Sequence, residues 1–285
     1  MKKTVLCAVA LVAASAASAQ TGEITSNRGE NWLSQDGDWG LTFDAQPLLN
    51  YAGNLFNNGN NTGVAALNNL WNTDSFLGIN GNQANPGGSN VVIGVKKLVD
   101  ANTAYRGKVR IGFGSTKETV LVNDVTSTAN PPAQVEDVTK NSYMAVNLGV
   151  GLEKRVGSTR VVGIYGGEFN IGFGNSKTVY EYGNAISANN PVAGRNTEEK
   201  HGSVFGLGLN GFVGVEWFAA PKISLSGEYT WGLSLRSKGH TETSAEGWNG
   251  TGVETQTVEA GTKRNQFSLD TGVSGASIGV NFYFQ

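Results

Sequence analysis

Two sets of charged residues carry the chemistry this sequence can offer. Lys96, Arg106, Lys108 and Arg110 form one set and Asp44, Glu168, Glu216 and Glu228 the other, and all eight fall on the polar side of segments whose residues alternate with period two. Charges gathered on one inner face must pair, because an unpaired ion in a dry interior carries a large desolvation penalty. The expectation is a hydrogen-bonded ionic network. Its active form would be a gate whose pairs exchange to admit small solutes. Its passive form would be a fixed structural core, which is favoured because an interior of eight strands is just wide enough for side chains to fill.

Other chemistries find less material. Gly206-Leu207-Gly208-Leu209-Asn210-Gly211 matches the G-x-G-x-x-G string of dinucleotide sites, but the pattern lacks the helix that must follow it. Inward glycines that make room for Glu and Arg side chains are the better account. Asp124, Glu136, Asp137, Glu242 and Glu246 lie in polar stretches without the spacing of a calcium loop. No metal and no cofactor is expected. The chain has two histidines, one of them in His201-Gly202-Ser203, and a histidine that activates a serine is one route to ester cleavage.

The elements that position these residues are strands. Eight segments alternate, running over 38–52, 90–99, from Tyr105, over 141–154, 159–182, 203–218 and 222–236, and to the end at Gln285. Met144, Val146, Leu148, Val150 and Leu152 form one apolar file. Phe205 to Trp217 and Ile223 to Leu235 form two more, with Ser224, Ser226 and Glu228 opposite the last. Connections are short after segments two, four and six, where Arg155-Val156-Gly157-Ser158 and Ala219-Ala220-Pro221 read as tight turns. They are long at 53–89, 118–139, 183–202 and 238–263, stretches rich in Asn, Gly, Ser and Thr that read as exposed loops.

This alternation of loop length is the pattern of an all-β, eight-stranded antiparallel transmembrane β-barrel, with short periplasmic turns and four long extracellular loops. The faces opposite the apolar files hold Thr42, Asn147, Gly149, Gly151, Gly208, Asn210 and Glu216. A soluble core built of such residues would bury many uncompensated polar groups. Trp39, Tyr105, Trp217, Trp231, Phe282 and Phe284 fall where interfacial aromatic girdles would sit, with Trp231 assigned to the loop side. Pro47 fits a closed sheet only at a bulge or near the outer rim.

Export is expected too. Lys2 and Lys3, the apolar run from Val5 to Ala14 and the exit Ala17-Ser18-Ala19 have the order of a secretory signal, which gives a leader over 1–19 and one barrel domain over 20–285. Cys7, the single cysteine, falls inside that leader. A net charge of -2 offers no broad attraction for nucleic acid.

On these residues the chain resembles the small eight-stranded outer-membrane barrels, the group that includes the OmpA transmembrane domain, OmpX-like proteins and the porin-like barrels of Bacteroidota. The opening strand from Trp39 to Tyr51 and the aromatic end Asn281-Phe282-Tyr283-Phe284-Gln285 carry the likeness. It implies the outer membrane of a Gram-negative bacterium, lipid and lipopolysaccharide as surroundings, and the outer-membrane assembly machinery as a partner in biogenesis. It also implies an ionic plug in the lumen. A structural or surface-interaction role follows, with a narrow porin-like conduit as the alternative. A second alternative rests on His201-Gly202-Ser203, which resembles the His-x-Ser element of outer-membrane lipid A deacylases, with Glu198 or Glu199 available to orient the ring. A non-enzymatic role is expected.

Overall fold

The computed structural model describes residues 24–45 and 93–285, and over these the chain is all β, without a helix. The strands are β1 (Trp39–Asp44), β2 (Ile93–Asp100), β3 (Thr103–Asn123), β4 (Gln134–Val156), β5 (Val161–Glu181), β6 (Arg195–Lys200), β7 (Val204–Ala220), β8 (Ile223–Lys238), β9 (Thr241–Trp248), β10 (Val253–Ala260) and β11 (Arg264–Phe284). Every pairing is antiparallel. The expected leader, the long connection 53–89, Pro47, Tyr51 and the side chain of Asp44 lie outside the described residues.

Hydrogen bonds ring through eight strands in the order β1, β2, β3, β4, β5, β7, β8 and β11, and the circuit closes where Trp39 pairs with Phe284. Two tight turns at one end of the ring depend on particular backbones. Gly157 has φ +139°, and a Cβ there would stand 2.9 Å from the Val161 carbonyl, so the hairpin from β4 to β5 needs glycine. Between β7 and β8, Pro221 leads into Lys222 at φ 59°. Three ties hold Lys222 in that uncommon conformation: its N–H donates to Trp32, its carbonyl accepts from Tyr283, and its ammonium pairs with the buried Asp38 carboxylate.

At the opposite end three of the four expected loops contain β-strand. The stretch 118–139 continues β3 and β4 as one long hairpin around 124–133. The stretches 183–202 and 238–263 contain β6, β9 and β10. Above Gly174, β5 leaves β7 and takes β6 as its neighbour, β6 pairs with β9, and β9 with β10. Both faces of these added strands are polar, so they lack the alternation by which a half-buried strand is recognised. Arg195 locks them together, donating to Glu246 at 2.8 Å and to the Asn184 carbonyl at 2.7 Å while it stacks 4.2 Å from the Tyr182 ring.

The ring is apolar outside and polar within. Ile111, Phe113, Leu148, Val150, Leu209, Val213 and Tyr229 all lie exposed on its outer face, Phe113 at 80%. Among the described residues, the apolar cluster inside sits at the tight-turn end. There Leu98, Ala104, Val162, Ile164, Phe218 and Tyr283 meet Leu33, with Ile24 and Trp32 against them. The segment 24–38 thus closes that end of the interior, and Trp32 lies under the Arg160 guanidinium at 4.1 Å.

Candidate functional site: the buried ionic network

Period-two alternation turns one face of each strand inward, and next to the apolar base these faces supply Glu153, Glu168, Glu216 and Glu228 against Lys96, Arg106, Lys108 and Arg155. Arg106 is the hub. Its guanidinium approaches Glu228 at 2.8 Å, Glu168 at 2.9 Å and Glu153 at 3.3 Å, and lies over the Phe212 ring at 4.1 Å. Lys108 joins Glu168 at 2.8 Å, and Lys96 joins Glu153 at 2.9 Å.

Toward the base, Arg155 bridges Glu153 and Glu216, both at 2.7 Å. Glu216 also accepts from the Tyr283 hydroxyl at 2.7 Å and from Ser224. Asn281 continues the chain by donating to Ser224 and Ser226 at 3.1 Å, and accepts from Thr42 at 2.7 Å. All eight strands of the ring are therefore tied through side chains. Four carboxylates against four cations leave this layer formally neutral, and each carboxylate has a cation within 3 Å. A set so matched resists rearrangement, since moving any member strands a buried charge.

Glycines make the space. A Cβ on Gly151 would stand 2.7 Å from Glu168 Cγ, and one on Gly214 would stand 3.0 Å from Glu228 Cγ. The string from Gly206 to Gly211 lies wholly within β7, paired on both sides, and no helix follows it.

The structure brings six of the eight residues singled out from the sequence into one network: Lys96, Arg106, Lys108, Glu168, Glu216 and Glu228. Arg110 is half-buried on the same inward file, one step beyond Lys108. Glu153 and Arg155 are essential members that sequence reasoning missed. Ending the fourth segment at Lys154 placed Arg155 in a turn, whereas β4 runs to Val156. The signal was present, because Asn147, Gly149, Gly151, Glu153 and Arg155 keep one parity.

The aromatic residues divide. Trp39, Tyr105, Trp217, Phe282 and Phe284 are exposed on the outer face near the tight-turn end, and Lys97 lies 4.7 Å from the Trp39 ring. Trp231, assigned to the loop side, instead sits half-buried midway along β8, opposite Gly211. β8 continues seven residues beyond it, to Lys238.

His201 does not meet Ser203. Its Nε2 is 3.1 Å from Thr178 Oγ1, and the Thr178 hydroxyl proton already goes to Asn141 Oδ1 at 2.7 Å. Nε2 therefore donates, so this nitrogen is engaged by Thr178 and not by Ser203. Glu198 faces Lys177 and Lys200, and Glu199 accepts from Asn196. Four of the five polar-loop acids have partners of their own: Asp124 accepts from Thr126, Asp137 from Gly183, Glu242 from Lys200 and Glu246 from Arg195. The Thr126 hydroxyl, with its backbone N–H, holds Asp124 below the ordinary carboxylate pKa, and Glu242 raises Lys200 above that of an ordinary lysine. No helix among the described residues is long and apolar enough to cross a membrane. The chain matches no family model and no curated protein.

Proposed function

We propose that the protein is an integral outer-membrane β-barrel whose role is structural or surface-interactive rather than enzymatic. One observation carries the reading: the closed sheet buries a network of eight charged side chains inside and carries its large apolar side chains outside. In water such a molecule would expose far more contiguous apolar surface than soluble monomers carry. In a bilayer the same distribution is the ordinary one. The outward file from Phe205 to Trp217 rises about 30 Å along the ring axis at ~3.3 Å per residue and ~40° of tilt, enough for an apolar band of about 25 Å.

On this reading the tight turns face the periplasm, and β6, β9 and β10 stand outside the cell as a polar platform. Lipid and lipopolysaccharide surround the apolar band, and the assembly machinery receives the terminal strand through Phe282 and Phe284. The platform supports a surface-interaction role because it offers a free strand, β10, exposed along its whole length. Neither alternative gains support. The hub at Arg106 and the segment 24–38 stand in the way of a conduit, and His201 engages Thr178 rather than the Ser203 a hydrolase would need beside it.

Gel mobility and circular dichroism of the full chain test the proposal. The chain should require detergent, give a β spectrum, and migrate faster unboiled than boiled. A chain that is soluble and monomeric without detergent would overturn it.

A further inference from the structure

Just beyond the apolar band on the loop side, two lysines are set directly against each other. In the register of β3 and β4, Phe113 faces Met144, Ser115 faces Ser142, and Lys117 faces Lys140. Alternation places Lys117 and Lys140 on the outer face with Phe113 and Met144, and both lysines are exposed. On β5, Lys177 lies opposite Ser142, hence diagonal to Lys140, and is exposed at the same level.

Like charges directly opposite on adjacent strands are destabilising. Among the described residues neither Lys117 nor Lys140 makes an ion pair, while Lys177 is only loosely held by Glu198 at 3.4 Å. Glu136 and Glu181, the acids on this face farther toward the loop end, form no ion pair with either lysine. What lies beneath them is apolar: Ile111 and Phe113 on β3, Met144 and Leu148 on β4, Ile171 and Phe173 on β5, every one exposed. A ligand that suits both features carries an anion above and hydrocarbon chains below.

We propose that Lys117 and Lys140, flanked by Lys177, form a seat for the phosphate group of an outer-leaflet lipid whose acyl chains lie along Phe113, Met144 and Phe173. The seat rests on the outer-membrane reading, because in water no acyl chains would cover the apolar file. Charge complementarity selects the anion, and the continuous apolar files select a lipid over a soluble phosphate. The lysine stems reach down the strands, so each ammonium can meet a headgroup while its methylenes stay on the sheet.

Native mass spectrometry of the full chain in detergent, with lipid A and its dephosphorylated form as probes, tests the seat. Wild type should retain lipid A. The Lys117→Ala/Lys140→Ala variant should bind it roughly thirtyfold more weakly, given the usual contribution of a lysine at an anionic membrane surface. A Lys263→Ala/Arg264→Ala control, which removes two exposed cations elsewhere, should bind like wild type. The dephosphorylated probe should bind wild type and the lysine variant equally.

Equal retention of lipid A by wild type and the lysine variant would overturn the seat. So would retention of inorganic phosphate alone, which would point to a soluble anion. Integration into phosphatidylcholine vesicles separates the two levels. Chains that integrate but show no lysine dependence contradict the seat alone, whereas a wild type that fails to integrate contradicts the membrane reading and the seat with it.

Discussion

Replacing Glu153 with alanine should destabilise the protein by about 3–5 kcal/mol, because it leaves buried cations without their partner. Glu153 is fully buried and serves Arg155 at 2.7 Å, Lys96 at 2.9 Å and Arg106 at 3.3 Å. Urea titration of the chain refolded in detergent or lipid would read the loss directly. Two comparisons give the number meaning. Glu198→Ala removes a half-buried acid near the surface from Lys177 and Lys200 and should change stability by less than about 1 kcal/mol. The double variant Glu153→Ala/Arg155→Ala restores formal neutrality, so it should lose less than the two single changes combined. Strict additivity would mean that the two side chains do not act as one network.

The second large effect belongs to the outside. Leu148 lies midway along the outward file from Met144 to Leu152 and is 45% exposed. On a soluble protein, Leu148→Arg at such a site would usually change stability by within ±0.5 kcal/mol. At the midplane of a bilayer an arginine on the lipid face costs ~2–4 kcal/mol. Unfolding from lipid vesicles should therefore show a loss of that size, while Thr255→Arg on exposed β10 should be close to neutral. A neutral Leu148→Arg would say that water, not hydrocarbon, lies against β4.

These two variants probe opposite faces of one strand, and that contrast was the most legible feature of the sequence. The file from Met144 to Leu152 alternates without interruption, and that from Phe205 to Trp217 is broken only at Gly211 and Phe212, so the apolar and polar faces could be told apart. The inward charges followed from the same parity. Parity cannot say which charges touch, because contact across the ring depends on strand order and stagger. Arg106 and Glu228 are 122 residues apart in sequence and 2.8 Å apart in space. Arg155 was hidden for a local reason, since Gly157 and Ser158 suggested a turn that begins two residues too early.

The outer strands were hidden for a different reason. Thr241-Glu242-Thr243-Ser244 and Val253-Glu254-Thr255-Gln256 put polar residues on both faces. Without a buried side, only pairing partners distinguish such a strand from a loop, and the partner that anchors β9, and through it β10, comes from a connection some 45 residues earlier in the chain. The closing segment 24–38 carried no periodic signal at all. Its place depends on single contacts, the hydrogen bond from Lys222 to Trp32 and the pairing of Lys222 with Asp38. The facing of Lys117 and Lys140 was equally invisible, because it exists only in the β3 to β4 register.

The central claim is that hydrocarbon covers the outer face, and a lipid-borne quencher tests it most directly. With Cys7 as the only cysteine and the expected leader removed, single cysteines can be introduced at Met144, Leu148, Val150, Leu152, Thr255 and Glu259 and labelled with a fluorophore. In vesicles of acyl-chain-brominated lipid, the four β4 labels should be strongly quenched, most at Leu148 and Val150, and the two β10 labels should keep the intensity they show in unbrominated vesicles. Equal intensity at Leu148 in brominated and unbrominated vesicles, in a chain with a β spectrum, would contradict the account.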